Sequence, residues 1–290
     1  ACRGTAGFAH VSCLVEQARI LMDEAEENNL GLKALNERWP RWFSCSLCEQ
    51  DYHGVVRCAL GWACWKTYVG RPEADEIRRL AMNVLGSGLS KANHHADALF
   101  VKEAEFAMER RLGAPVEQLL VVQNNLAGTY QMLGRHEEAM CARKDVYSGR
   151  LKLNGEEHRE TLAAASSCAL SLACLQRFEK AKPLLRKTMP VARRVLGESD
   201  DVTLAMRTNY ASALYRDPSA TLDDLSEAVA TLEDLEQAAR RVMGGAHPLT
   251  STIDRHLGLA RDTLCDHEMR SAAPPSPEDE HHDELDDVTV

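Results

Sequence analysis

Aromatic side chains are scarce in this 290-residue chain, at 5% against a hydrophobic content of 44%. A core with so few rings must be filled by small aliphatics. Long apolar runs are missing as well. The longest uncharged stretch, Thr161 to Gln176, is rich in Ser and Ala. It falls short of the ~18 apolar residues a spanning helix needs, so no membrane span is expected. Basic stripes and arginine-rich faces are absent, which leaves no electrostatic footprint for nucleic acid. Catalytic motifs are missing too. His136-Glu137-Glu138 lacks the second His of a zinc-protease helix. Gly86-Ser87-Gly88 has neither the flanks of a nucleophile elbow nor the Lys of a phosphate loop. The pairs His94-His95 and His281-His282 read as solvated loop and tail residues. No residue is assigned a catalytic role.

What the chain does hold is unevenly distributed. Its length accommodates one extended or two compact domains. The net charge is −10, and seven of those ten negatives lie between Ser271 and Val290, where no Lys or Arg offsets them. With Pro274, Pro275 and Pro277 alongside, residues 265–290 read as an acidic disordered tail. The ten cysteines are too sparse for a disulfide scaffold. Cys58, Cys64, Cys141, Cys168, Cys174 and Cys265 fall in helical apolar patterns, where free Cys behaves as a small buried hydrophobe. A reducing, cytoplasmic setting follows.

The other cysteines are spaced differently. Cys2, His10, Cys13, Cys45 and Cys48 read C-x₇-H-x₂-C…C-x₂-C, thiolates plus an imidazole, the ligand mix zinc takes in closed tetrahedral sites. Five ligands exceed one tetrahedral ion and fall short of two. The chain opens on Ala1 rather than Met, and we read it as a fragment, the end of a longer protein.

The run CRGTAGFAHVSCL, from Cys2 to Leu14, resembles the second half of a RING-CH (RING-variant) zinc finger. Gly4, Thr5, Phe8, His10, Cys13, Leu14, Cys45, Cys48 and Tyr52 fall in step with that family's pattern. The resemblance implies a cross-brace in which His10 and Cys13 form half of one zinc site. Cys2, Cys45 and Cys48 would be three ligands of the other, with the remaining ligands upstream of Ala1. Sites left incomplete in this fragment would hold zinc poorly. The family's activity would make the parent a ubiquitin ligase that positions a ubiquitin-conjugating enzyme without any covalent intermediate. Two features depart from the pattern. An inserted helix (VEQARILMDEAEENN) lengthens the gap between Cys13 and Cys45. Gln17 stands where many members carry the Trp that docks the conjugating enzyme; Trp39 and Trp42 are the apolar substitutes at hand.

Self-similarity governs most of the rest. Gly113, Gly155 and Gly197 recur every 42 residues, each closing a helix-like run, and the next such turn, at Met243 to Pro248, is delayed by an insertion near Arg216-Asp217-Pro218. Ala127, Ala169 and Ala211 keep the period, as do Asn83, Asn125, Ser167 and Asn209. The pattern predicts stacked helix–turn–helix units. Small residues such as Ala127 and Ala139 would allow close crossings. Leu126, Tyr130, Leu172, Leu184 and Leu196 would fill the gaps, with Gly in a left-handed cap. Pro190 is expected to kink or shorten one helix. The segment NNLAGTYQMLGRHEEA, the Leu-Gly closes and AHPLT make residues 76–264 similar to a tetratricopeptide array of the kinesin-light-chain type.

The expected fold is mainly α, a tetratricopeptide-type helical solenoid with a small N-terminal zinc-finger segment. Its parts are finger residues 1–52, a linking helix in 53–75 that Pro72 stops or kinks, the array at 76–264 and the tail. Trp62 and Trp65, on the linking helix, are assigned to the core at the junction. The resemblance also implies a groove lined by the first helix of each pair. There Asn83, Asn125, Ser167 and Asn209 would hold the backbone of a peptide or protein substrate, since an amide both donates and accepts. Two functions are carried forward: a zinc-dependent ubiquitin ligase with a substrate-holding array, and a non-catalytic scaffold whose zinc module is an interaction domain.

Overall fold

The computed structural model describes residues 9–245 and 247–272. Among them there is no β-strand beyond one isolated bridge between Ser44 and Asp51. The chain divides into two compact units, residues 1–155 and 156–290.

Unit 1 begins with α1 (Val11–Glu27) and α2 (Gly31–Arg38), followed by a single 3₁₀ turn, Trp39–Trp42. Then come α3 (Gly54–Tyr68), α4 (Glu76–Lys91), α5 (His95–Arg111), α6 (Val116–Met132) and α7 (His136–Asn154). The scarce aromatics are concentrated at its start. Trp42 is fully buried and meets Tyr68 edge-on, ring centroids 5.9 Å apart. Ala18 of α1, Cys64 of α3, and Ala81 and Val84 of α4 close the same cluster. The described part of residues 1–52 therefore shares a core with the linking helix and the first array helix.

Two expectations fail here. Trp62 is 43% exposed, while Trp65 is partly buried against both apolar clusters of this region. Trp65 thus joins the junction as expected and Trp62 does not, because α3 turns the Trp65–Tyr68 side of its surface toward α1 and α4, where Trp42 and Tyr68 are the most buried rings. Trp42, being buried, is also unavailable as a docking surface for another protein. The linking helix stops at Tyr68, four residues before Pro72.

Unit 2 contains α8 (Arg159–Cys174), α9 (Phe178–Leu196), α10 (Asp201–Tyr215), α11 (Leu222–Met243) and α12 (Pro248–Ala272). Its single core runs through Leu162, Leu185, Leu204, Met206, Leu232 and Ile253, with alanines at the crossings. Small residues permit close approach and leucines fill the remaining space, the pattern stacked helix pairs require. Side chains also set the helix starts: Asp75, Asp200 and Thr221 each accept from backbone N–H groups at an N-cap, and Thr221 with Asp224 completes a capping box. The insertion after α10 is pinned by Asp217, which accepts from Ser219 N (2.9 Å) and from Lys182 Nζ (2.7 Å).

The helix pairs α4/α5, α6/α7, α8/α9 and α10/α11 reproduce the predicted repeat, with first helices starting at Glu76, Val116, Arg159 and Asp201. Local details differ. Gly155 and Gly197 close their helices at φ 80° and 94° but ψ 178° and 164°. This is not the left-handed cap but the extended positive-φ region, which is essentially glycine's alone. Pro183 and Pro190 both lie inside α9, yet the helix runs on to Leu196. Both prolines are on the exposed side, where water can take up the carbonyls they leave unpaired. The buried stripe Ala181, Leu185, Thr188 and Ala192 holds the helix in place. Of the cysteines assigned to the core, Cys64 and Cys168 are buried but Cys141 and Cys265 are exposed. α12 extends through Ala272, so the boundary at 265 falls inside a helix; the remainder of the tail lies outside the described residues.

Candidate functional site

In unit 1 the helices α4, α5 and α6 enclose a cleft of about 360 Å³. Asn83 of α4 and Asn125 of α6 both line it. The two amides are not equivalent. Asn83 Nδ2 donates to Glu105 Oε1 at 3.2 Å. Asn125 is held through its backbone, whose carbonyl accepts from Lys102 Nζ (3.4 Å) and Thr129 Oγ1 (3.2 Å). Its side-chain amide makes no hydrogen bond among the described residues and lies open to the cleft.

Below these amides is a charged layer that the sequence reading missed. Glu105 and Glu109 are 3% and 1% exposed. Arg79 pairs with Glu109 at 2.9 Å. Lys102, also buried, donates to Ser90 Oγ (2.9 Å) and Thr129 Oγ1 (2.8 Å), joining α5 to both neighbours. Burial lowers its pKa, and Glu105 partly offsets that. The Glu105 carboxyl is pushed up to about 7, chiefly by burial, with Glu109 adding to the rise and the Asn83 amide and Lys102 opposing it. Its second oxygen, Oε2, is buried without a hydrogen-bond partner. Leu80, Val121 and Val122 supply the apolar part of the lining. The sequence did carry a signal: Lys102, Glu105 and Glu109 follow the helical spacing of Ala98, on the face a simple solenoid helix gives to apolar residues.

In unit 2 the Asn209 amide is spent internally. Asn209 Nδ2 donates to Ser166 Oγ at 3.0 Å and to the Ser166 carbonyl at 3.4 Å, pinning α10 to α8. Ser167 is partly buried and has interactions of its own. Asn209 thus serves packing, whereas the Asn125 amide is open to the cleft.

The cysteine residues form a second candidate. Cys45 and Cys48 sit on one tight turn: Glu49 N donates to Cys45 O (2.9 Å) and Cys45 N to Gln50 O (2.9 Å). Leu47 N points at Cys45 Sγ, 3.4 Å away. The Tyr52 hydroxyl bonds the same sulfur, and its own pKa is raised, first by burial and then by Cys45. Two donors directed at the Cys45 sulfur suit a thiolate. His10 caps α1, with Cys13 one turn on, both exposed. Among the described residues no three His, Cys, Asp or Glu side chains gather to hold a metal ion, and Cys2 lies outside them.

The tetratricopeptide-repeat family model matches residues 118–194, which span α6 to α9. The helix pairs are tetratricopeptide-like repeats. A Podosopora anserina protein described as a kinesin light chain with nearly identical TPR-like repeats is similar in structure. It aligns at 18% identity and a TM-score of 0.52, covering 81% of this chain and 98% of its own. A second structure of that protein gives 18% and 0.51, covering 81% and 99%. At this identity the likeness speaks to fold alone, a tetratricopeptide-like helical solenoid. No curated protein matches the sequence. Among the described residues no helix is long and apolar enough to cross a membrane.

Proposed function

We propose that this chain is a non-catalytic binding scaffold whose α4–α6 cleft holds an extended segment of a partner protein. The observation that carries this reading is the open Asn125 amide over a cleft with apolar walls and a polar floor. Such an amide can donate to and accept from the backbone of a peptide laid along the cleft. Ligand clefts combine mostly apolar walls with a few convergent polar groups in the same way. Peptides enriched from a random display library should bind the protein, and Asn125→Ala should weaken them about tenfold or more. Leu259→Ala, an exposed change in unit 2, should leave binding unchanged. An exhaustive library with no enrichment, or enriched peptides indifferent to Asn125→Ala, would overturn the assignment.

The Cys45–Cys48 turn favours a second reading, that the chain also carries part of a zinc module serving either as an interaction domain or as a RING-type ligase element. Its role would be structural: the bound metal would stand in for part of a core, and the cysteine thiols would release their protons to ligate it as thiolates. Purified without chelator, the protein should then carry zinc only substoichiometrically, its ligand set being incomplete, and Cys45→Ser should lower that metal content further, as measured by mass spectrometry. Ubiquitin discharge from a charged conjugating enzyme, lost in Cys45→Ser, would carry the ligase form of this reading. Zinc retained without discharge would leave the interaction-domain form.

A further inference from the structure

We infer that the α4–α6 cleft selects partners by a basic side chain, an Arg or Lys whose cation seats on the buried Glu105 carboxyl. This rests on the cleft being a peptide site and adds the chemistry it reads.

A buried carboxylate oxygen is ordinarily satisfied, because desolvation without a partner is unfavourable. Glu105 uses one oxygen for the Asn83 amide and leaves Oε2 with none. Nearby cations are committed elsewhere. Arg79 is paired with Glu109, and the Lys102 ammonium donates to Ser90 and Thr129. The charges facing the cleft are Glu76 and Arg79 from α4, and Glu105 and Glu109 from α5, with Lys102 behind; α6 presents the neutral Gln118 and Asn125. With Glu105 ionised, three carboxylates stand against the single arginine lining the cleft. A cation entering it meets a negative site in which one Glu105 oxygen lacks a donor. Leu80, Val121 and Val122 offer apolar surface for the methylene stem of a long basic side chain. An acidic or purely apolar side chain would leave Oε2 unpaired or repelled, so the site discriminates by the penalty for wrong occupants.

Binding of a cation should tighten as the carboxyl ionises, so affinity rises between about pH 6 and pH 8 given a Glu105 pKa near 7.

The test uses acetyl-arginine amide and its neutral isostere acetyl-citrulline amide, titrated into the intact protein with backbone amide NMR shifts as readout. Acetyl-arginine amide should shift residues of α4, α5 and α6 with at least tenfold higher affinity than the citrulline probe. The preference should grow from pH 6 to pH 8 and vanish in Glu105→Gln, which keeps the bond to Asn83. Equal response to both probes, or no response to either, would overturn the inference without any variant having to fold. Display-selected peptides provide the second arm. If they depend on Asn125 but carry no common basic residue, the peptide site stands and the basic specificity falls. If a shared Arg is present, replacing it by citrulline should weaken binding about tenfold.

Discussion

Gly88→Val should destabilise unit 1 by about 3 kcal/mol or more and detach α3 from α4, whereas Gly128→Ala should stabilise it by about 0.5–1 kcal/mol. Both glycines are inside helices, so propensity alone predicts a gain for either when replaced by Ala. Their surroundings decide otherwise. A Cβ at Gly88 would lie 2.8 Å from the backbone carbonyl oxygen of Arg57, and one at Gly61 would lie 3.1 Å from that of Val84. Each helix thus offers a glycine to the other's backbone, and a main-chain oxygen cannot rotate away as a side chain would. Gly88→Ala should already cost about 1–2 kcal/mol, the overpacking of a tight crossing outweighing the propensity gain. At Gly128 a Cβ meets nothing within 4 Å. Urea unfolding followed by tryptophan fluorescence reads the effect in unit 1, since Trp39, Trp42, Trp62 and Trp65 all lie there. A Gly88→Val protein as stable as the parent would disprove the close crossing.

The period of the array was legible because each pair repeats a physical demand: a small residue where helices cross, a helix end that needs positive φ. Gly155 and Gly197 met that demand in a backbone region narrower than the expected cap, one that spacing cannot distinguish from it. Where a requirement is satisfied by a neighbour far along the chain, the sequence was silent. Gly88 sat in a run weighed for phosphate or nucleophile chemistry and set aside, and its use appears only when α3 is laid against it. The tryptophans were sorted by helical spacing, which cannot tell which side of α3 faces inward. Trp42, on a short 3₁₀ turn with no periodicity to read, became the buried ring.

The functional residues divide along the same line. Asn125 lines the α4–α6 cleft, a position set by the phase of α6 in the repeat. Asn209 keeps that phase but is consumed by Ser166, a contact visible only once α8 and α10 are side by side. Glu105 and Lys102 were passed over because charged residues on a helix are usually solvated. In α5 they interrupt the inward face, and that interruption is what makes the cleft more than a groove between packed helices. The Cys45–Cys48 pair was legible by spacing; its N–H···S and O–H···S contacts add what spacing could not.

The two units should respond to acid in opposite directions. In unit 2 the Tyr215 hydroxyl and His256 Nδ1 share a hydrogen bond of 2.8 Å, and burial with Arg255 and Arg216 nearby lowers the His256 pKa to about 4. The unfolded chain, with His near 6.5, takes up the proton first as pH falls. Stability from this group is therefore complete above pH 6.5 and is lost between there and pH 4, by about 2–3 kcal/mol after discounting the ring's partial exposure. His256→Gln can keep an acceptor for Tyr215 and should remove this pH dependence. In unit 1 the sign reverses. Glu105 binds its proton more tightly folded than unfolded, so its contribution grows as pH falls from 7 toward 4.5 and Glu105→Gln should abolish that growth. Comparing each variant with the parent at pH 7 and pH 4.5 cancels the many other carboxylates. Circular dichroism follows the helices of both units and tryptophan fluorescence follows unit 1, so the two trends separate in one titration. Acid shifts of the same sign in both differences would contradict the burial of one group or the other.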